Sequence, residues 1–198
     1  ESERMEIAHA FHEIMEKTCI KFKPRYIEPN FLHIFKGTGC YSHVGRQGGE
    51  QRLSLGKRCA FYGIAMHELM HSLGFWHEQS RDDREDYIRV YWKNIRKGME
   101  SNFDKKSEMV TSQLGQPYDY DSLTHYRENS FAKIPKIKTI DPMKRVKIGQ
   151  RTHLSQHDIE SINLLYKCKI KEVKRSNVNS GLKKQWHILK AEPINKDF

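Results

Sequence analysis

The stretch of sequence that decides the fold spans residues 67–77, and it runs His67-Glu68-Leu69-Met70-His71-Ser72-Leu73-Gly74-Phe75-Trp76-His77. The pattern of apolar residues predicts a helix over residues 60–73, on which His67 and His71 lie on one face about one turn apart. This spacing suits two of the ligands of a tetrahedral Zn²⁺. Glu68 follows the first histidine, and we expect it to face the open position of the metal, where a carboxylate can take a proton from water.

Gly74 is the residue that allows a third histidine to join the first two. A histidine six residues after His71 cannot reach the same metal on a straight helix, because the helix carries it away. Glycine tolerates the positive φ of a sharp turn and is common just after a helix ends. We therefore expect the helix to stop at Gly74 and His77 to be the third ligand, which leaves a fourth position for water or substrate.

A chance occurrence is the alternative to this metal site. A lone His-Glu-x-x-His pattern is found in many unrelated chains, where its histidines are ordinary surface or core residues. The longer run fixes five identities within eleven positions. At average residue usage, accident does not account for it in a chain of this size.

Length, composition and charge exclude several other classes. A chain of 198 residues with 37% hydrophobic and 30% charged residues fits one globular domain with a real core. It has no apolar run near the roughly 20 residues that cross a bilayer. The lack of a signal-like opening after Glu1 says nothing about secretion, because processing removes such openings.

The net charge of +10 is spread along the chain. Residues 169–198 hold eight Lys/Arg and three Asp/Glu, a balance of +5, and the rest of the chain carries the other +5 among many acidic residues. A dispersed excess is typical of a solvated surface, and no aromatic and basic platform accompanies it. We therefore expect no nucleic-acid partner; a basic nucleic-acid binder, the alternative, would be retained on DNA in a salt-sensitive way.

The four cysteines, Cys19, Cys40, Cys59 and Cys168, form no Cys-x-x-Cys pair. A cysteine zinc site or a thioredoxin-like motif is therefore not expected. Widely spaced cysteines in even number suit two disulfides in an oxidising compartment, and three pairings are open. Four free buried thiols in a cytosolic protein are the alternative.

Periodicity predicts the remaining elements. A helix is expected over residues 3–18, with Ile7, Phe11 and Ile14 on its buried stripe. Another is expected over residues 84–103, and a last one from Ser155, where Asp158 completes a capping box. Strands are predicted at residues 19–23, 31–35 and 51–55, and residues 114–141 are rich in turn formers.

The residues after the third histidine carry a family resemblance. They read Glu78-Gln79-Ser80-Arg81-Asp82-Asp83-Arg84-Glu85. The long histidine run is typical of metzincins, and a glutamate after it with an Arg-x-Asp-Arg-acid run resembles the astacin family. The resemblance extends from about Cys19 to Cys168. Further matching segments are Gly39-Cys40-Tyr41-Ser42, Val44-Gly45-Arg46, Ser54-Leu55-Gly56, Pro117-Tyr118-Asp119-Tyr120-Asp121-Ser122-Leu123-Thr124-His125-Tyr126, Ile148-Gly149-Gln150-Arg151 and Asn163-Leu164-Leu165-Tyr166-Lys167-Cys168.

This resemblance implies a fold and a division of the chain. The fold is an α+β metzincin domain, with a twisted sheet and helices in the N-terminal half and a largely irregular C-terminal half that ends in a helix. Residues 1–168 would form this catalytic domain and residues 169–198 a basic tail or linker. The implied disulfides are Cys19–Cys168 and Cys40–Cys59.

The resemblance also implies a function. The chain is expected to be a secreted zinc endopeptidase that cleaves extracellular proteins or peptides, with one Zn²⁺ on His67, His71 and His77. Glu68 would act as general base and acid. Tyr126 would be a further zinc ligand at rest and would stabilise the oxyanion during reaction, two tasks that suit a phenol.

Three departures from the family pattern carry expectations of their own. Thr124 stands where metzincins have a methionine beneath the zinc, so we expect a looser site or a hydroxyl without a partner, with weaker zinc binding or stability but no loss of the chemistry. No match to the family's first strand precedes Glu3, which would expose a sheet edge and remove a contact of the mature N-terminus with Glu78. Glu85 replaces the usual Asp. The first two features favour an alternative, a zinc-containing pseudoprotease that binds a partner through the cleft.

Overall fold

The structure, a computed structural model, describes residues 2–107 and 114–169. In these ranges the α-helices are α1 (Ser2–Lys17), α2 (Tyr62–Ser72) and α3 (Gln156–Leu165). The strands are β1 (Phe31–Phe35), β2 (Cys40–Ser42), β3 (Glu50–Leu55), β4 (Ile88–Val90) and β5 (Ile140–Pro142). Mixed helices and small sheets confirm the predicted α+β class.

The N-terminal half is a three-stranded sheet packed against helices. Its strand order is β1-β3-β2, with β1 parallel and β2 antiparallel to β3. The main core lies between this sheet and the three helices, and its fully buried members include Ile14, Leu53, Met66, Leu69 and Ile162. Burial of these side chains fixes the position of α2, which carries two of the histidines.

Three of the four predicted helices are present, with boundaries within two residues of those expected. In α1, Ile14 is fully buried and Ile7 and Phe11 are partly buried against the core. Ser155 caps α3: its hydroxyl accepts from the Asp158 N–H over 2.9 Å while the Asp158 carboxylate accepts from the Ser155 N–H over 3.0 Å. Both reciprocal bonds of the predicted capping box are therefore present.

The predicted helix over residues 84–103 is wrong. The chain there forms 3₁₀ turns at Arg84–Asp86, Trp92–Asn94 and Glu100–Phe103, with β4 between the first two. The guanidinium of Arg84 donates to the backbone carbonyls of Gln79 and Phe103, and β4 pairs with the distant β5. The pairing of β4 with β5 uses backbone groups that a helix over this segment would need for its own hydrogen bonds, so the two structures exclude each other.

The predicted strand at residues 19–23 is also wrong, since the described chain is irregular there. A strand requires a paired neighbour, and within the described ranges β1 pairs only with β3. The strands predicted at residues 31–35 and 51–55 are confirmed as β1 and β3.

Both implied disulfides are present. Cys19–Cys168 joins the end of α1 to the end of α3 across 149 residues, and Cys40–Cys59 closes a loop of 19 residues. No described residue is a free cysteine, so the alternative of four free thiols is wrong. No described helix has the length and apolar character to cross a membrane. The predicted basic tail lies, apart from Lys169, outside the described residues.

Candidate metal centre

The turn at Gly74 brings the three histidines together as predicted. Helix α2 ends with Leu73 as its C-cap, and Gly74 has a φ of 108°, which only glycine adopts at little cost. The chain then reverses, so that His77 returns to the face that carries His67 and His71. One donor atom from each of these three histidines lies within 4.8 Å of the other two. Within the described residues, this is the group of His, Cys, Asp or Glu side chains that could hold a metal ion.

The protonation of the rings shows what this centre can hold. His67 Nδ1 lies 2.9 Å from the Leu123 carbonyl, and His71 Nδ1 lies 2.7 Å from the Phe75 carbonyl. A carbonyl oxygen only accepts, so each Nδ1 carries the ring proton. Burial lowers the pKa of both rings, which keeps them neutral. Both Nε2 atoms are therefore lone-pair donors to a cation.

The spacing of the three Nε2 atoms fits a zinc ion. His71 Nε2 lies 3.1 Å from His67 Nε2 and 3.1 Å from His77 Nε2. Two lone pairs that face each other at this distance repel unless a cation lies between them. Nitrogens bound to one tetrahedral Zn²⁺ at 2.0–2.1 Å lie about 3.3 Å apart. The donor set and its spacing thus fit zinc, and the carbonyls bonded to Nδ1 hold the rings in place.

Glu68 is buried beside the first histidine on α2, with 5% of its surface exposed. Burial raises the pKa of Glu68 to about 7, and the nearby Arg151 guanidinium opposes this rise. A carboxyl group with a pKa near neutrality can both take up and release a proton at physiological pH.

Tyr126 lies next to the third histidine. Its ring centroid is 4.4 Å from that of His77, and its other ring neighbours are Phe103 and Phe131. Burial raises the pKa of Tyr126 to about 12. A neutral phenol at this place can donate a hydrogen bond to a developing negative charge.

Thr124, the residue in place of methionine, has a hydrogen-bond partner, so the expectation of an unpaired hydroxyl is wrong. Ser122 Oγ donates to Asp158 Oδ1 over 2.8 Å and accepts from the Thr124 N–H. Since the single Ser122 hydroxyl proton is committed to the carboxylate, the Thr124 hydroxyl must donate to Ser122 Oγ, 3.0 Å away. Asp158 also accepts from the Leu123 N–H, which ties α3 to this loop.

A cavity of about 230 Å³ adjoins the centre, and His77 is among its lining residues. Thr124 and Glu78 are among its lining residues. Glu78 Oε1 accepts from Arg81 Nη1 over 3.1 Å and from the Asp119 N–H over 2.8 Å. Glu85 forms ion pairs with Lys105 and Arg84 and is not among the lining residues.

The sequence did not identify every residue that surrounds the centre. Gln79, His125 and Arg151 all contact the peptide groups next to Tyr126. Their only signal in the sequence is position, since Gln79 and His125 are within the two segments that carry the family resemblance and Arg151 ends a third. None of them has a pattern that predicts such a contact.

Comparisons with known proteins agree with this geometry. The family described as Astacin, a family of peptidases, matches residues 1–167. Zinc metalloproteinase nas-6 of Caenorhabditis elegans is 43% identical over 190 residues, which cover 95% of this chain and 55% of that protein. The beta subunit of human meprin A is 45% identical over 166 residues, covering 82% of this chain and 24% of the subunit. The chain therefore spans about half, or less, of the length of these relatives.

A solved structure shares the fold. High choriolytic enzyme 1, a hatching enzyme zinc-protease from the medaka fish Oryzias latipes, superimposes with a TM-score of 0.81 at 42% sequence identity. The match covers 85% of this chain and 84% of that one. A match of this coverage extends over both the N-terminal and the C-terminal half of the described chain.

Proposed function

This chain belongs to the astacin family of peptidases, and from that premise we propose that it is a zinc-dependent endopeptidase. One observation carries the proposal: Nε2 atoms of three histidines converge at 3.1 Å spacings, and two of the rings have their other nitrogen committed to a carbonyl. His67, His71 and His77 would hold the ion. When bound, Zn²⁺ supplies a Lewis acid that polarises the scissile carbonyl and makes water more acidic.

Glu68 acts as general base and then as general acid. It takes a proton from the attacking water and delivers it to the leaving amine, which balances the proton over the reaction. Its burial supports this role, because a pKa of about 7 allows both transfers near neutral pH.

Tyr126 stabilises the oxyanion that forms when water adds to the carbonyl. Its phenol stays protonated at neutral pH, since burial raises the pKa of Tyr126 to about 12, and a protonated phenol is a donor. A single such donor contributes about 10²–10³ in kcat in comparable sites. At rest the same oxygen would be a further ligand for the ion.

The substrates are proteins or peptides outside the cell. The two disulfides support a secreted protein, because such bonds persist in oxidising compartments.

The experiment uses the full chain with its disulfides intact, an unstructured protein substrate and metal analysis of the same sample. Wild-type protein should contain one zinc per chain and lose cleavage when a chelator removes it. Glu68→Ala should keep zinc and lose about 10²–10⁴-fold in kcat, while the control Glu100→Ala, at an exposed glutamate, keeps full activity. Cleavage retained by Glu68→Ala would overturn the mechanism.

The same measurements decide between the protease and the pseudoprotease. Thr124 is one of the two sequence features that favour a protein that only binds a partner, and the presence of Glu68 and Tyr126 opposes it. Stoichiometric zinc with no turnover of any protein substrate would establish that alternative.

A further inference from the structure

Side chains hold both peptide groups that flank Tyr126, and two of them, Gln79 and His125, are fully buried. The Tyr126 N–H donates to Gln79 Oε1 over 3.0 Å, and the carbonyl of the same peptide group, that of His125, accepts from Arg151 Nη1 over 3.0 Å. The next carbonyl, that of Tyr126, lies 2.8 Å from His125 Nδ1. The backbone on either side of the tyrosine is therefore fixed by side chains rather than by a helix or a sheet.

Tyr118 decides which nitrogen of His125 is the donor. The His125 ring is fully buried, and because a carbonyl only accepts, the proton must be on Nδ1. Nε2 is then a lone-pair acceptor, and the Tyr118 hydroxyl lies 2.7 Å from it. This hydroxyl stabilises the tautomer that holds the Tyr126 carbonyl, as second partners of histidines do elsewhere.

Gln79 links the same tyrosine to the third histidine. It is fully buried in the short turn Glu78–Ser80, which begins directly after His77. Its own carbonyl accepts from Arg84 Nη1 over 3.1 Å, so the turn cannot shift freely. The turn that presents His77 and the residue whose ring packs against His77 are thus held in one hydrogen-bonded unit.

Fixing the backbone of Tyr126 matters because only two side-chain torsions separate it from the phenol ring. With the backbone held, the phenol oxygen is confined to a small region next to the histidines. A displacement of about 1 Å can cost about 10²-fold in rate when a catalytic group is involved.

We propose that Tyr118, His125 and Gln79 are positioning residues, which hold the backbone of Tyr126 so that its phenol reaches the oxyanion. This inference rests on the proposed endopeptidase function and on the role of Tyr126 in it. None of the three residues needs to touch substrate or metal.

The test is a double-mutant cycle with Tyr118→Phe, which removes one oxygen, and Tyr126→Phe. Tyr118→Phe should lower kcat about tenfold with KM and zinc content unchanged, the loss typical of an outer partner. In the Tyr126→Phe background the same change should alter kcat by less than about twofold. Tyr118 affects the rate only by positioning the Tyr126 hydroxyl, which this background lacks. Tyr87→Phe is the matched control and should leave kcat unchanged. The Tyr87 ring stacks on Tyr118 at 4.6 Å, but Tyr87 takes no part in the Tyr118–His125 or the His125–Tyr126 hydrogen bond.

A second readout does not depend on proteolysis. Hydrogen exchange of the Tyr126 amide should be about tenfold faster in Tyr118→Phe, and faster again in Gln79→Met, which removes the acceptor at similar side-chain length. Tyr87→Phe should not change it. Should the wild-type protein cleave nothing, the proposed function fails but exchange still tests the contacts.

Either of two results would overturn the proposal. One is an equal loss of kcat from Tyr118→Phe in both backgrounds, which means that the hydroxyl acts only on general stability. The other is a Tyr126 amide that keeps its full protection in both Tyr118→Phe and Gln79→Met.

Discussion

Replacing Gly63 by alanine tests whether helix α2 packs directly against the backbone of Arg151. A Cβ built on Gly63 would lie 3.0 Å from the Cα of Arg151, and closer still to the carbonyl carbon and oxygen of that residue. Carbon atoms normally stay about 3.5–4.0 Å apart. Because the neighbours are backbone atoms, no side-chain rotation relieves the contact, and the helix and the Arg151 segment must separate by roughly 1–2 Å.

Two effects of this substitution oppose each other. Alanine in place of glycine stabilises a helix by at most about 1 kcal/mol, whereas overpacking of this kind costs about 1–3 kcal/mol or more. We expect the steric cost to win, with a net destabilisation of about 1–2 kcal/mol. Zinc binding should weaken as well, since α2 carries His67 and His71.

Urea unfolding of the zinc-loaded protein measures this change. With a slope of about 2 kcal/mol/M for a chain of this size, the midpoint should fall by roughly 0.5–1 M. Ser72→Ala, at the other end of α2, is the control and should stay within about 0.5 kcal/mol of the parent. A Gly63→Ala protein as stable as the parent would refute the close approach of α2 to Arg151.

The other predictions concern the metal site, the long disulfide and pH. Thr124→Met should slow zinc loss to a chelator several-fold, because the longer apolar side chain can extend into the cavity of about 230 Å³; faster loss would count against this. Replacing Cys19 and Cys168 by serine opens a loop of 149 residues and should lower the free energy of unfolding by about 3–5 kcal/mol in urea. Burial raises the pKa of Asp158 from 3.8 to about 6, so between these values the folded state binds the proton and the unfolded state releases it. The free energy of unfolding should therefore fall as pH rises through that window, by at most about 3 kcal/mol. Asp158→Asn should make this slope shallower, while the slope from Glu68, whose pKa burial also raises, remains; an unchanged slope would exclude Asp158 as a contributor.

Sequence predicted best where the determining interactions are local. The capping box of Ser155 and Asp158 needs only residues three apart. The stop at Gly74 follows from the conformational freedom of one residue, confirmed by its φ of 108°. The convergence of His77 with the two helical histidines follows from these local rules together.

Sequence-based prediction of secondary structure failed where hydrogen-bond partners far away in the chain determine the local conformation. The segment around Arg84 has helical spacing, but its guanidinium reaches carbonyls 5 and 19 residues away in the chain, and β4 pairs with β5 near residue 141. Local pattern carries no information on such partners, because the preference for a helix amounts to only a few tenths of a kcal/mol per residue.

By itself the sequence predicted the three histidines that converge, the α+β class, the helix that presents two of them and, through the family resemblance, the pairing of the cysteines. Only the tertiary structure decided that Thr124 has a partner in Ser122 and that Gln79, 47 residues away from Tyr126, holds its amide. The physical reason is the distance along the chain over which each interaction acts. Helix periodicity and glycine conformation are properties of neighbours in the chain, whereas a buried hydrogen bond is fixed by whichever donor and acceptor the packed core brings together.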